Sequence, residues 1–416
     1  MRKVEQQAIA AKAAARELAL KPAVQRTAVL KRAAILIRQH VDGILQANQL
    51  DLQLAQQKGL DLTRQGILAL KSADDVEAMA FSLERMANHD DAVNRVCQSY
   101  HEPSGLRREQ RLVPLGVVTM VYEARPSVVC DSAGICLRTA NALLLCCSHY
   151  SVNTDTVIVD LIRRALVEKG LSADCIQLVT QEGFEATYWL SQAEKYVSLL
   201  ILRGGYAASA AIRRQATVPV LVAGPGNCHI FIDASAPYQM TLDIVRNSKV
   251  PRPLACNAAE TLLVHAAWAE EFLSDLLAQL EAEGMALRGC SRALKYAESM
   301  QPAVESDWEV EFFAPVLAVK IVDDLDAAID HINTYRTPHT ECIITADQQN
   351  AERFLLEVEA NVACLNASTR LTDGIQFGYG GEMGISTQFL PCGGPIGPQH
   401  LLRRKFFLYG SGHLRQ

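Results

Sequence analysis

Short apolar runs that alternate with amphipathic stretches are the feature that most restricts the fold of this chain. The runs are rich in leucine or β-branched residues, and they are VTMVY (118–122), ALLLCC (142–147), CIQLVT (175–180), VSLLIL (197–202) and VPVLVA (218–223). Segments with helical periodicity, such as TDTVIVDLIRRALVEKG, separate several of them. Because strands that alternate with helices form parallel, doubly wound sheets, the sequence predicts an α/β fold.

A second series of the same kind follows Asp233. Its predicted strands are TLLVH, VLAVKIV, CIITA and VACLN, and its predicted helices lie near 267–283, 324–334 and 348–359. Residues 1 to about 90 have helical spacing, and we expect them to form long helices packed in one layer. A chain of 416 residues is long enough for two or three domains of about 100–200 residues each.

The composition argues against several classes of partner. The formal net charge is -6, with acidic and basic residues interspersed, so nucleic acid and anionic membranes are not expected partners. The start of the chain is an Ala-rich helical pattern rather than a targeting signal, and no stretch approaches the roughly 20 apolar residues of a membrane span. Several cysteines lie in apolar segments and indicate a reducing cytoplasm, namely Cys130, Cys136, Cys175, Cys342 and Cys364.

The segment LRGGYAASAAIRR follows the fourth predicted strand. In open α/β sheets ligands bind beyond the carboxyl ends of the strands. Two glycines at a helix start let the backbone approach a diphosphate, so Arg203, Gly204 and Gly205 are candidate cofactor-binding residues. The same pattern also occurs in ordinary turns, and the usual GxGxxG fingerprint is absent.

The segment VPRPLACNAAETLLVH places Cys256 in a proline-framed loop ahead of an apolar run. The prolines hold the segment extended, and Arg252 and Lys249 are positioned in the sequence to favour the thiolate of a nucleophile. The alternative is a buried structural cysteine, as we expect for Cys228 in the apolar strand GNCHIFID. No CxxC or Cys/His ligand spacing surrounds Cys256, which argues against zinc.

RPLACNAAETLLVH resembles the catalytic-cysteine signature of the γ-glutamyl phosphate reductase family, in the aldehyde dehydrogenase superfamily. Further blocks resemble the same family in the same order, and the resemblance covers nearly the whole chain. They are VPLGVVTMVYEARPSVVCDSAGICLRTANALLL, LILRGG, TVPVLVAGPGNCHIFID, EFFAPV and NASTRLTDGIQFGYGGEMGIST.

The resemblance implies an aldehyde dehydrogenase-like α/β fold with three parts. They are a doubly wound nucleotide-binding domain (1–102 and 117–226), an α/β catalytic domain (227–395) and oligomerisation segments (103–116 and 396–416). The oligomerisation hairpin would pair SGLRREQRLVPLG with KFFLYGSGHLRQ. A long exposed strand edge of this kind needs a partner, so we expect a homo-oligomer, as a dimer or a tetramer.

The resemblance also implies the reaction, which is NADPH-dependent reduction of L-glutamyl 5-phosphate to L-glutamate 5-semialdehyde and phosphate in proline biosynthesis. Cys256 would form a thioester, and its backbone N–H would stabilise the oxyanion. Ser127 stands where many relatives have an Asn amide donor. The expected catalytic residues are Cys256, Asn257 and Ser127. The expected cofactor-binding residues are Arg203, Gly204, Gly205, Glu311 and Phe313.

The expected substrate-binding residues are Arg370, Arg125 and Asn366, because a guanidinium recognises a carboxylate well. The alternative role of Arg125 is a structural salt bridge. The alternative for Glu311 and Phe313 is that Phe313 belongs to the core and Glu311 caps it. In hydrolytic relatives a Glu activates water against the thioester. The matching segment here is VAGPGN, which has no acid, and this favours reduction over hydrolysis.

The chain departs from the family pattern at two segments. CCSHY (146–150) stands where relatives usually have an Arg-Gly-Gly run that meets the adenosine ribose, and YRTPH (335–339) stands where a glycine-containing segment is expected. The first change removes positive charge, so it weakens the expected preference for NADPH and leaves NADH as an alternative cofactor.

These departures keep two alternative functions open. One is an aldehyde dehydrogenase-fold enzyme that acts on a different small aldehyde, and the other is a catalytically weakened homologue with a binding role. A transient contact with glutamate 5-kinase is a further expected interaction, because the acyl phosphate is labile.

Overall fold

The computed structural model describes residues 3–180 and 184–415. Residues 1, 2, 181–183 and 416, some of which fall within the predicted domain ranges, lie outside the described residues. The chain divides into two compact units, which we call unit 1 (Met1–Ala223, Gly378–Gly384 and Ile396–Gln416) and unit 2 (Gly224–Phe377 and Ile385–Pro395). The finer assignment to three functional parts stays a prediction.

Helices form where apolar residues recur at helical spacing. In chain order they are α1 (Lys3–Leu18), α2 (Ala23–Gln39), α3 (Val41–Gln57), α4 (Leu62–Leu68), α5 (Ala73–Asn88), α6 (Ser127–Arg138), α7 (Val152–Glu168), α8 (Phe184–Ser191), α9 (Tyr206–Gln215), α10 (Tyr238–Lys249), α11 (Ala266–Trp268), α12 (Ser274–Ala282), α13 (Leu325–Tyr335) and α14 (Gln348–Glu357). A π-helical turn, Ala269–Leu273, joins α11 to α12, so the helix predicted near 267–283 is interrupted.

The strands follow the apolar runs of the sequence. In chain order they are β1 (Val96–His101), β2 (Arg107–Pro114), β3 (Val117–Tyr122), β4 (Ala142–Cys147), β5 (Ile176–Leu178), β6 (Leu199–Arg203), β7 (Val220–Val222), β8 (Cys228–Ile232), β9 (Ala259–His265), β10 (Ala286–Gly289), β11 (Gln301–Pro302), β12 (Val316–Val322), β13 (Thr340–Ile344), β14 (Val362–Leu365), β15 (Ile385–Ser386), β16 (Gly394–Pro395) and β17 (Leu402–Tyr409). All nine strands predicted in the two series are present among them.

The main sheet of unit 1 is parallel, with the strand order β5-β4-β3-β6-β7. The order reverses direction at β3, as in a doubly wound sheet, which confirms the predicted class. Strand β4 is buried along nearly its whole length, which is why its sequence ALLLCC is continuously apolar rather than alternating.

The helices of residues 3–88 do not form the single layer that the sequence predicted. Helix α1 packs directly on the sheet, in a cluster that includes Ala8, Ala11 and Leu144 together with residues of α8 and α9. Helix α2 instead contacts α5, α6 and α7. Small residues on α1 allow its close approach to the strands, whereas α2 has a stripe of larger apolar residues that fits between other helices.

Unit 2 contains a second parallel sheet, with the order β11-β10-β12-β9-β8-β13-β14. The four predicted strands of the second series correspond to β9, β12, β13 and β14. Trp268 and leucines of α12 cover one part of this sheet, while Phe231 and Phe354 belong to a separate cluster with residues of α13. Two apolar clusters therefore pack against this sheet.

A separate antiparallel sheet in unit 1 has the order β1-β2-β17. Strand β17 pairs with β2 over eight positions, from Leu402 opposite Pro114 to Tyr409 opposite Arg107, so the predicted pairing of the two segments is present. Strand β1 was not predicted. All six of its residues are exposed, so its sequence lacks the alternation that marks a half-buried strand.

Candidate active site

A cavity of about 480 Å³ lies in unit 1, beyond the carboxyl ends of β3, β4 and β6. This edge is where open α/β sheets bind ligands, and the volume is within the range of small-molecule sites, about 300–1,000 Å³. Tyr122, Cys147 and Arg203 line the cavity from the three strand ends, and Ser209 lines it from α9. Gly204 also lies in the wall, so the Gly-Gly turn is part of this cavity.

The Gly-Gly turn continues directly into α9, with Gly205 at the N-cap position. The Gly205 N–H donates to Oε1 of Glu123 at 3.4 Å, and a Cβ added to Gly204 would lie 3.3 Å from the same oxygen. The partial positive charge of a helix N-terminus favours an anion at this position. The Gly-Gly turn exposes its backbone at the start of α9, beside a cavity of suitable volume. This arrangement fits the phosphate-bearing part of a dinucleotide.

The unusual turn CCSHY forms one wall of the cavity. Burial raises the pKa of Cys146 to about 12. Burial, and then the carboxylate of Asp155, raises the pKa of Cys147 as well. Both thiols therefore stay protonated near neutral pH, and this part of the wall presents neutral groups where relatives usually present a guanidinium.

A cationic side chain that the sequence analysis did not single out also lines the cavity. Leu54 and Lys58 lie one helical turn apart at the end of α3, and both belong to the cavity wall. Tyr150 of the CCSHY turn packs on the cluster that contains Ala55, which keeps the end of α3 beside the turn. No motif marks Lys58, because its place depends on the packing of segments that are distant in the sequence.

Cys256 lies in unit 2 on the loop between α10 and β9. It is half-buried, whereas the next two residues are buried. The main chain here is closely packed, since a Cβ added to Gly226 would lie only 1.6 Å from the carbonyl oxygen of Cys256. A glycine is therefore required at position 226, because only a residue without a Cβ lets the main chain of Cys256 pack this closely.

A second cysteine contacts the main chain of Cys256. The Sγ of Cys228 donates to the carbonyl oxygen of Cys256 at 3.5 Å, and Nδ1 of His339 lies 3.6 Å from the same Sγ. Nδ1 of His339 also lies 2.8 Å from Oγ1 of Thr340. Burial lowers the pKa of His339 to about 3, so its imidazole is neutral. Cys228, predicted as an ordinary core cysteine, thus has a specific polar contact with the candidate catalytic loop.

Asn257 holds a neighbouring turn. Its Nδ2 donates to the carbonyl oxygen of Thr372 at 2.9 Å, and its own carbonyl oxygen accepts from Oγ1 of Thr369 at 2.7 Å. The turn Thr369–Leu371 carries the half-buried Arg370, so the structure brings Arg370 and the Cys256 loop together. The roles expected for Asn257 and Arg370 stay predictions, and the side chain of Asn257 is engaged with backbone.

Asn366 lies at the end of β14, away from these contacts. Its Oδ1 accepts from the N–H of Thr345, and its Nδ2 donates to the carbonyl oxygen of Thr345, both at 2.9 Å. The residue has a φ of 50°, which asparagine adopts more readily than most residues. Asn366 thus closes the ends of β13 and β14, and its expected role in substrate binding stays a prediction.

Glu311 and Phe313 lie on the segment before β12. Oε2 of Glu311 accepts from the N–H of Gly226 at 3.1 Å, which places this carboxylate on the segment VAGPGN. Phe313 is 42% exposed and has a φ of 49°, an uncommon conformation for an aromatic residue. Phe313 is therefore not a core aromatic residue. The expected cofactor contacts of Glu311 and Phe313 stay predictions.

Lys249, which was expected to favour the thiolate of Cys256, forms a buried ion pair in the structure. Nζ of Lys249 lies 2.6 Å from Oε2 of Glu260, and both side chains are fully buried. Burial lowers the pKa of Lys249 and raises that of Glu260 to about 8. The side chain of Lys249 is therefore engaged by its own buried partner, and Arg252 is exposed on the loop. The expected effect of these two residues on the Cys256 thiolate stays a prediction.

Arg125 and Ser127 lie in unit 1, on the segment that joins β3 to α6. Ala124 has a φ of 38°, and the carbonyl oxygen of Arg125 accepts from Val128 at 3.0 Å as α6 begins. Ser127 is exposed and Arg125 is half-buried. Their expected catalytic and substrate-binding roles stay predictions.

Residues 3–180 and 184–415 contain neither a membrane-spanning helix nor a cluster of metal ligands. No helix in these ranges combines the length and apolar character needed to cross a membrane. In the same ranges, no three histidine, cysteine or carboxylate side chains converge as metal ligands. Of the cysteines predicted to be buried, Cys364 is half-buried, and the others are buried as expected.

Comparison with known proteins extends these observations. The model of the aldehyde dehydrogenase family matches residues 1–286 and 301–385. A γ-glutamyl phosphate reductase from Geobacillus sp. (strain WCH70) is 40% identical over 402 residues, which is 97% of each chain. A γ-glutamyl phosphate reductase from Syntrophomonas wolfei is 40% identical over 414 residues, which is 99% of this chain and 98% of the relative.

The crystal structure of γ-glutamyl phosphate reductase from Thermotoga maritima superimposes with a TM-score of 0.94 and 34% identity, and it covers the full length of both chains. The likeness thus extends from the sequence to the fold. The chain therefore belongs to the aldehyde dehydrogenase family, as an oxidoreductase of its γ-glutamyl phosphate reductase branch.

Proposed function

We propose that the protein reduces L-glutamyl 5-phosphate to L-glutamate 5-semialdehyde and phosphate in proline biosynthesis, with NADPH as the hydride donor. The observation that carries the proposal is a half-buried Cys256 on a closely packed loop, in a chain that is 40% identical to a relative named for this reaction. A cytoplasmic location agrees with this role and with the reduced state of the thiol that the reaction needs.

In the proposed mechanism, the Cys256 thiolate attacks the carbonyl carbon of the acyl phosphate. The bond to the phosphate oxygen breaks, phosphate leaves, and a thioester remains on Cys256. The backbone N–H of Cys256, with Ser127 as a second donor, stabilises the oxyanion. Arg370, on the turn held by Asn257, binds the carboxylate of the substrate, and Arg125 assists. After reduction the bond between carbon and Sγ breaks, and the thiolate is released.

The cofactor would be held mainly by unit 1. A bound nicotinamide cofactor supplies the hydride that reduces the thioester. Arg203, Gly204 and Gly205 would contact its diphosphate at the start of α9, and Glu123 has to move from the Gly205 N–H for a phosphate to take that position. Glu311 and Phe313 are proposed to contact the nicotinamide ribose. We further propose that Lys58 supplies the positive charge for the 2′-phosphate of NADPH, because the cysteines of the CCSHY turn are neutral.

The cofactor assignment is tested by calorimetric titration of NADPH and NADH. Lys58→Ala should weaken NADPH binding by about tenfold, the scale of one charge-assisted hydrogen bond, and leave NADH binding unchanged. Lys58 is exposed, so the change should not affect folding. An NADPH affinity that Lys58→Ala does not change would place recognition of the 2′-phosphate elsewhere.

The reaction is tested in the reverse direction, with glutamate 5-semialdehyde, oxidised cofactor and phosphate. Cys256→Ser should abolish turnover and keep cofactor affinity. Cys290→Ser is the matched control, because Cys290 is also half-buried in unit 2 and its Sγ accepts from a backbone N–H, as a serine hydroxyl can. A substantial rate in Cys256→Ser would refute the thioester mechanism.

The same assay without phosphate tests the absence of hydrolysis. Turnover should then be negligible, because the segment VAGPGN supplies no base to activate water. Robust formation of glutamate without phosphate would make the protein a hydrolytic dehydrogenase, and Glu311, the carboxylate bound to this segment, would be the first candidate base to test. The alternative of a weakened homologue rests on the altered CCSHY turn, and an absence of cofactor binding in the titration would favour it.

For quaternary structure, we propose a homo-oligomer formed through the sheet β1-β2-β17. Support comes from the exposure of β1 along its whole length and of apolar residues on β17, where Phe406 is 58% and Leu408 is 63% exposed. Light scattering after gel filtration measures the mass directly, and a monomer at micromolar concentration would contradict the proposal. The transient contact with glutamate 5-kinase stays a prediction.

A further inference from the structure

Side chains of unit 2 hold the main chain around Cys256. Cys228 donates to the carbonyl oxygen of Cys256, Thr369 donates to that of Asn257, and the Asn257 amide donates to Thr372. Only the first of these contacts acts on Cys256 itself. Rotation of the Cys256 carbonyl changes the backbone angle next to its Cα and therefore the direction of Sγ.

We propose that Cys228, held in place by His339, is a positioning residue that sets the orientation of the Cys256 thiol during the reaction. The inference rests on the proposed function, in which Cys256 is the nucleophile. Cys228 touches no reacting atom in this proposal, and its effect passes through the Cys256 carbonyl.

The surroundings of Cys228 keep its thiol protonated and able to donate. Cys228 and His339 are fully buried, and burial, with the carboxylate of Glu341 next, raises the pKa of Cys228. A thiolate at this place would repel the carbonyl oxygen that the thiol now contacts. The neutral His339 ring limits the rotation of Sγ from the other side, at 3.6 Å.

A purely structural role for Cys228 makes a different prediction. Another cysteine of the same sheet, Cys342, is also fully buried and donates through Sγ to a backbone carbonyl, that of Ala367 at 3.1 Å. Cys342→Ala therefore removes an equivalent group and contact without a direct effect on Cys256. If Cys228 serves only the core, the two alanine variants should lose similar stability and keep similar activity.

The test compares Cys228→Ala, Cys228→Ser and Cys342→Ala at a temperature well below their melting transitions. Cys228→Ala should lower kcat by about tenfold with KM within twofold, because a misplacement of about 1 Å can reduce a rate by up to about a hundredfold. Cys228→Ser keeps a donor and should recover most of the lost kcat. Hydrogen exchange in the peptide covering 251–258 should be faster in Cys228→Ala and unchanged in Cys342→Ala.

Either of two results would overturn this inference without affecting the proposed function. One is a kcat for Cys228→Ala within twofold of that for Cys342→Ala, and the other is a Cys228→Ser enzyme as slow as Cys228→Ala. An active Cys256→Ser enzyme would instead overturn the proposed function and this inference together. The serine variant of Cys228 also covers the case in which the alanine variant does not fold.

Discussion

Gly226→Ala should inactivate the enzyme more than it destabilises the fold. The added Cβ would lie 1.6 Å from the carbonyl oxygen of Cys256 and 2.7 Å from its carbonyl carbon. Since carbon and oxygen atoms approach to about 3.3 Å, the main chain of Cys256 has to move by about 1.7 Å. The obstacle is backbone, so no side-chain rotation relieves it.

The two consequences of this displacement differ in size. Overpacking a buried position costs about 1–3 kcal/mol of stability, which a folded protein can usually tolerate. A misplacement of about 1 Å at the reacting atom, by contrast, can reduce the rate by about a hundredfold. We therefore expect Gly226→Ala to fold and to retain less than about 1% of the kcat for the phosphate-dependent reverse reaction.

Gly289→Ala is the matched control in the same unit. Its Cβ would lie 2.0 Å from Sδ of Met300, which is part of a flexible side chain and can move. Thermal melting and steady-state kinetics of both variants separate the loss of stability from the loss of activity. If Gly226→Ala keeps a kcat within threefold of Gly289→Ala, the loop tolerates the displacement and the reasoning fails.

Three further predictions concern buried and charged groups. Burial raises the pKa of Asp155 from 3.8 to about 7, so the folded state holds a proton that the unfolded state has lost, and stability falls as pH rises towards about 7. Asp155→Asn should therefore flatten the pH dependence of the melting temperature, and an unchanged dependence would contradict this. Lys249→Met leaves Glu260 buried without its ion-pair partner and should cost about 3–5 kcal/mol in denaturant unfolding, whereas Arg353→Met, at an exposed ion pair, should leave the unfolding midpoint nearly unchanged. Arg370→Lys should raise KM for glutamate semialdehyde by about tenfold with little change in kcat, because lysine lacks the bidentate geometry of a guanidinium, and an unchanged KM would exclude Arg370 from substrate binding.

The two parallel sheets could be predicted from the sequence, because strands that are buried on both faces leave continuous apolar runs such as ALLLCC. Strand β1 could not, since a strand with every residue exposed has no hydrophobic pattern. The single helical layer was wrong for a related reason. Periodicity shows that a helix has an apolar stripe, but not whether a sheet or another helix covers that stripe.

Some residues of the candidate site could likewise be predicted from the sequence, and others could not. Cys256 and the Gly-Gly turn could be located in the sequence, because local prolines and glycines mark them. Lys58 and the Cys228 contact could not, because each depends on segments that only the folded chain brings together. The buried pairing of Lys249 with Glu260 could not be predicted either, because nothing in the local sequence around Lys249 indicates it.

The pairing of β17 with β2 has a consequence for how the chain folds. Strands β1 and β2 are joined by a short turn and can pair as soon as they are synthesised, whereas the guanidinium of Arg111 on β2 donates to the hydroxyl of Tyr409 on β17, 298 positions further along the chain. The edge of β2 that pairs with β17 therefore stays unpaired until β17 has left the ribosome, and contacts of such long range form slowly. During that interval β2 exposes an open hydrogen-bonding edge, which makes the nascent chain dependent on protection from aggregation until its last strand is in place.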